Sequence, residues 1–84
     1  MNILVRMYTT PWCSDCRRAK QFMKLRHIAF EEIDIETHPG AEEFVKRAND
    51  GRNKVPTFEV GGRTFHCSPF DLEKLARELG VEEI

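Results

Sequence analysis

The spacing of apolar residues changes along the chain, and each change marks an element. Residues 3–8 (Ile-Leu-Val-Arg-Met-Tyr) form a mostly apolar run closed by Thr9-Thr10-Pro11, which predicts a buried first strand. From about Ser14 to about Arg26 the period becomes helical. Ala19, Phe22 and Met23 make its core stripe, and Arg17, Arg18, Lys20, Lys24 and Arg26 fall on solvated faces. Residues 30–35 return to a period of two, with Ile33 and Ile35 on one face and acids interleaved, so they predict a second strand. Strand, helix and strand in this order make a right-handed unit with parallel strands. His38-Pro39-Gly40 is expected to open a second helix with Pro in the first turn and a core face of Ala41, Phe44, Val45 and Ala48. Asn49-Asp50-Gly51, tolerant of left-handed backbone, should end it. Residues 57–60 and 63–66 flank Gly61-Gly62, the pattern of a hairpin whose two-residue turn wants positive φ. Ser68-Pro69-Phe70-Asp71 reads as a capping box with Pro at the first helical position, followed by the stripe Leu72, Leu75, Ala76 and Leu79 and a stop at Gly80.

Composition narrows what such a chain can be. It has 84 residues, 40% hydrophobic and 32% charged, the balance of one small soluble globular domain spanning residues 1–84. A net charge of −1 gives no argument for nucleic acid or an anionic membrane as partner. No apolar stretch approaches the roughly 20 residues of a membrane span, and the leading run is too short, and broken by Arg6, to be a secretory segment. The expected location is the cytoplasm. Three cysteines are an odd number, and Cys13 and Cys16 are too close in sequence to staple a fold, so a disulfide-built secreted domain does not fit.

Cys13 and Cys16 carry the candidate chemistry. They lie between the first strand and the first helix, where unpaired backbone N–H groups and the positive end of the helix dipole favour an ionised, nucleophilic sulfur. Cys13 is the expected attacking group. Cys16, three residues on, is placed to close a disulfide with it and release a product. The same pair could serve as half a zinc site, or supply an iron–sulfur cluster bridging two protomers, or be retained in a non-catalytic adaptor. Asp15 stabilises the first helical turn but sets a negative charge near Cys13, which Arg17 and Arg18 are placed to offset. Trp12 is either a docking surface beside the sulfur or a ring packed against the first helix. Cys67 is expected to be a small buried residue, and His27, His38 and His66 receive no catalytic role.

The α/β order β-α-β-α-β-β-α with a CxxC after the first strand is a thioredoxin-like plan: a four-stranded mixed sheet with helices on both faces. The chain resembles the glutaredoxin family over nearly its whole length. The resemblance rests on Tyr8-Thr9-Thr10 leading into Cys13 and Cys16, on Glu32-Ile33-Asp34-Ile35-Glu36, and on Val55-Pro56-Thr57 opening the hairpin. It is closest to the mycoredoxin-like branch, through Trp12, residues 41–45 and Ser68-Pro69.

The resemblance implies a thiol–disulfide oxidoreductase that binds no resident cofactor or metal and acts as a monomer. Its substrates would be protein disulfides or mixed disulfides. Electrons would come from a low-molecular-weight thiol (glutathione, mycothiol or similar) or from a flavin enzyme such as thioredoxin reductase. It further implies that Pro56 is cis and faces the CxxC, so that the Val55 backbone would pair with an incoming disulfide. Three departures bear on the thiol. Thr10 stands where many members carry a lysine for a glutathione carboxylate, His66-Cys67 replaces a Gly-Gly pair, and Ser14-Asp15 replaces Pro-Tyr. Arg52 and Lys54 are the remaining candidates for a thiol carboxylate, Arg52 foremost because its fork binds carboxylates bidentately. Ser68, at a helix start, is a further candidate, although capping alone would explain it.

Overall fold

The computed structural model describes residues 4–81, so Ile3 of the predicted first strand lies outside the described residues. The elements are β1 (Val5–Thr9), α1 (Ser14–Leu25), β2 (Glu31–Asp34), α2 (Ala41–Ala48), β3 (Thr57–Val60), β4 (Arg63–His66) and α3 (Leu72–Leu79). The order is the expected one. The four strands form one sheet in the order β2-β1-β3-β4, parallel between β1 and β2 and antiparallel across the other two pairs.

Strand register assigns each helix to a face, because residues directly opposite one another point the same way. Tyr8 lies opposite Ile33 and Thr57. Its ring stacks on Phe44 of α2 with centroids 4.7 Å apart, and Asn49, just past α2, donates to the Thr57 hydroxyl at 3.0 Å. α2 therefore covers that face. Met7 points the other way, with Glu32 and Phe58. Lys20 of α1 pairs with Glu32 at 2.9 Å, and Arg63, opposite Val60, pairs with Glu78 of α3. Both α1 and α3 thus lie on the Met7 face. The fully buried side chains Met7, Met23, Val45, Phe58 and Leu75 come from strands and helices on both sides.

Several boundaries differ from the sequence reading. The first strand begins at Val5, and Leu4 is exposed. Pro39 is not in the first turn of α2: Gly40 is the N-cap, in left-handed backbone, and the helix starts at Ala41. Ala48 at the end of α2 is exposed, as is Leu72 at the start of α3, each on a terminal turn of its helix. Ser68 does not cap α3. Asp71 does, its carboxylate accepting the Lys74 N–H at 3.1 Å, and Pro69 stays in the preceding loop. The Gly61-Gly62 turn has φ of 57° and 84°, as the hairpin requires.

Candidate active site

β1 runs straight into the reactive segment. Thr9 still pairs in the sheet, Thr10 accepts the Cys13 N–H at 3.4 Å to close a turn, and Cys13 is the N-cap of α1 in extended backbone. Its own sulfur does the capping, accepting the Cys16 N–H at 3.0 Å. A cap normally uses a side-chain oxygen for this orphan donor. Here the donor is aimed at the sulfur, an arrangement that suits negative charge there. The Cys13 thiol also reaches the Val55 carbonyl at 3.6 Å. That contact ties the sulfur to the loop before β3, where the Val55–Pro56 peptide is cis, as the resemblance implies.

The two sulfurs have different surroundings. Cys13 is 7% exposed and Cys16 1%. Burial pushes the Cys16 thiol up from its ordinary value, its contact with Cys13 adds to this, and the Thr10 backbone pulls weakly the other way. Cys16 is therefore held as a thiol beneath a sulfur nearer the surface. Both are free in this structure.

Around this pair the residues singled out from sequence divide into two groups. Trp12 stands beside Cys13 and is 69% exposed, so it is not packed against α1. Its indole N–H donates to the Glu36 carboxylate at 3.1 Å. Asp15 is paired with Arg18 at 3.1 Å, so the expected offset comes from Arg18, whereas Arg17 points outward. Thr10 is buried, and its hydroxyl has no hydrogen-bond partner among the described residues. The second group lies beyond Pro56. The Pro56 carbonyl accepts the Cys67 N–H at 2.9 Å, which brings the start of the α3 loop to the site. Ser68, half-buried, donates its N–H to His66 Nδ1 at 3.3 Å and lines an open depression of about 540 Å³ with His66, Pro69, Phe70, Asp71 and Lys74. Burial lowers the His66 pKa, and the charges of Lys74 and Lys54 lower it further. Arg52 is exposed on the loop after α2, with no side-chain partner among the described residues.

Cys67 is buried, as expected. Its thiol donates to the Asp71 carbonyl and its sulfur accepts the Asp71 N–H, both at 3.3 Å. Burial raises its pKa. With this sulfur engaged by its own loop, the zinc reading loses its third cysteine. No cluster of three or more His, Cys, Asp or Glu able to hold a metal ion occurs among the described residues. The sequence reading gave Glu36 and Lys74 no place beside the site and named Asp71 only as the end of a capping box begun at Ser68. Asp71 was findable, since it directly precedes the apolar stripe of α3. Glu36, 24 residues from Trp12, left no local signal.

Comparison with known proteins agrees with this geometry. Residues 5–65 match the family model described as Glutaredoxin. A glutaredoxin-like protein of Mycobacterium tuberculosis is 45% identical over 63 residues, 75% of each chain. Mycoredoxin 1 of Corynebacterium glutamicum is 32% identical over 73 residues, 87% of this chain and 90% of that one. Among solved structures, a mutant of a thioredoxin-like protein superposes with a TM-score of 0.79 at 28% identity, covering 93% of this chain and 96% of the other.

Proposed function

The chain belongs to the glutaredoxin family and is a thiol–disulfide oxidoreductase, and from that premise we propose that it reduces protein and mixed disulfides in the cytoplasm through Cys13 and Cys16, with a mycothiol-class thiol as electron donor. The observation that carries the reading is the Cys13 sulfur at the N-cap of α1, held between the Cys16 N–H and the Val55 carbonyl above a buried Cys16 thiol.

The Cys13 thiolate attacks one sulfur of the substrate disulfide. A Cys13–substrate S–S bond forms, the substrate S–S bond breaks, and the departing thiolate takes up a proton. For a protein disulfide, Cys16 then gives up its proton and attacks the Cys13 sulfur, which releases the second substrate thiol and leaves Cys13–Cys16 oxidised. Two electrons have moved to the substrate, and two molecules of donor thiol return them. Val55, beside Pro56, offers the backbone against which the substrate strand lies, and exposed Trp12 offers that partner an apolar ring. Ser68 lines the depression with His66, and Lys54 lies near enough to His66 to act on it by charge; this is where our reading puts the donor thiol.

Glutathione is the weaker candidate donor. Thr10 supplies no charge for its carboxylate, Arg52 is left to attract it from the opposite loop, and Cys67 fills a place where glycine would leave room. A coupled assay on one mixed-disulfide substrate, with glutathione, mycothiol or thioredoxin reductase as the electron source, tests this. Turnover with mycothiol should exceed that with glutathione. Arg52→Ala should raise the KM for glutathione with little change in kcat, because uniform binding is lost. Efficient glutathione turnover that is insensitive to Arg52 would overturn the choice of donor.

A further inference from the structure

Trp12 is the single tryptophan of the chain and one of its most exposed large side chains, yet it is not left free. Its Nε1–H donates to a Glu36 oxygen at 3.1 Å. Glu36 is itself held from behind. Its own N–H donates to the Asp34 carboxylate at 2.9 Å, and the preceding Ile35 N–H donates to the Thr9 carbonyl at 3.0 Å, extending the β1–β2 ladder by one residue. The carboxylate thus stands in the turn that follows β2, tied back to Asp34, and reaches across to the loop that carries Cys13. Nothing in the reduction chemistry requires this acid.

We propose that Glu36 is a positioning residue for macromolecular substrates: it holds the Trp12 indole in one orientation beside Cys13, so that the ring is ordered before a disulfide-bearing protein docks. An exposed indole without this partner would turn about its two side-chain torsions, and docking would have to freeze that freedom. A charge-assisted N–H bond to a carboxylate is well suited to such a clamp. A small disulfide, which reaches Cys13 without covering the ring, gains nothing from it. The inference rests on the proposed oxidoreductase reading, which names what docks, but the clamp has its own observable.

The test compares Glu36→Ala, Glu36→Gln and Trp12→Phe. Loss of one such hydrogen bond should raise the KM for a protein disulfide by about threefold to tenfold in Glu36→Ala, with kcat unchanged. Reduction of a small aliphatic disulfide by Glu36→Ala should match the unmodified protein. Acrylamide quenching of Trp12 fluorescence should rise and its anisotropy fall. Glu36→Gln keeps an acceptor oxygen and should restore both readouts. Trp12→Phe keeps a ring but loses the N–H, and adding Glu36→Ala to it should change the KM no further. Unchanged quenching and anisotropy in Glu36→Ala would overturn the clamp. An equal loss on small and protein disulfides would also overturn it, since Glu36 would then act on the fold. Quenching needs no turnover, so the clamp is tested separately from the reduction chemistry. Absence of small-disulfide reduction in the unmodified protein would instead count against the oxidoreductase reading.

Discussion

Cys13 and Cys67 place the same side chain at the approach to a helix, and in both the sulfur accepts a backbone N–H from the residues that follow. They also lie on either side of the same proline: Cys13 reaches the Val55 carbonyl, and Cys67 donates its N–H to the Pro56 carbonyl. The difference lies in what occupies the rest of the sulfur. Cys67 both donates to and accepts from Asp71, and leaves the capping of α3 to the Asp71 carboxylate. Cys13 is itself the cap, and beyond the N–H and thiol of Cys16 its sulfur has a long contact to a carbonyl that a substrate can replace. On the proposed reading, a helix start is therefore not sufficient to make a cysteine reactive. The sulfur must also keep a face that its own chain does not fill.

The contrast is broken most sharply by exchanging sulfur for oxygen at the two sites. Cys13→Ser should lower disulfide reductase activity by roughly a thousandfold or more, because a hydroxyl is a far poorer nucleophile than a thiolate. Folding should be unharmed, since serine is a preferred N-cap. Cys67→Ser, whose hydroxyl can both donate to and accept from Asp71, should retain most of the activity. Cys16→Ser should leave a mixed disulfide on Cys13, visible by mass spectrometry. An adduct found on Cys67 instead would reverse the roles.

The reverse dissociation is expected from Cys67→Ala. It strips a partly buried loop of both sulfur contacts and leaves the Asp71 N–H without its partner. A hydrogen bond lost at a partly buried site costs about 0.5–1.5 kcal/mol, so the urea midpoint should fall by that equivalent while reduction by the folded protein persists. No loss of stability would mean that the Asp71 capping interaction alone holds the loop. One site would then be chemical and expendable for folding, the other structural and expendable for chemistry.

This division was only half legible in the sequence. Apolar spacing located all seven elements, because the core stripes of α1 and α2 and the alternation in β2 follow from periods of 3.6 and two. The CxxC and the Gly61-Gly62 turn needed two or four adjacent residues and were read directly. The start of α3 was misplaced by three residues. Ser68 and Asp71 both satisfy a capping pattern, and what distinguishes them is the Cys67–Asp71 contact, which periodicity does not register. The place of Glu36 beside the site went unseen for a similar reason, since its partner lies on another loop. Local rules recover what the backbone needs, whereas the groups that orient the site act across the fold.

The smallest expected effect separates the two sides by charge. Beside Cys13, Asp15 and Arg18 pair with one another. Beside Cys67, His66 lies near Lys74 and Lys54, and burial followed by those two charges lowers its pKa below the ordinary histidine value. Above about pH 6.5 the imidazole is neutral in both the folded and the unfolded chain, so it has no effect on stability. As pH falls through that value the unfolded chain takes up the proton first, and the folded state is progressively disfavoured until its own lower pKa is passed. Protonation would also remove the Nδ1 lone pair that accepts the Ser68 N–H. The urea midpoint should therefore decline modestly from pH 7.5 to pH 5.5, and His66→Asn should flatten the decline. Glu32 acts in a different window. Burial alone would raise its carboxyl, but Lys20 and Thr9 outweigh this and hold it low, so its contribution is lost only as pH falls through the more acidic carboxylate range. A decline that survives His66→Asn would place the titrating group elsewhere and remove the electrostatic half of the contrast.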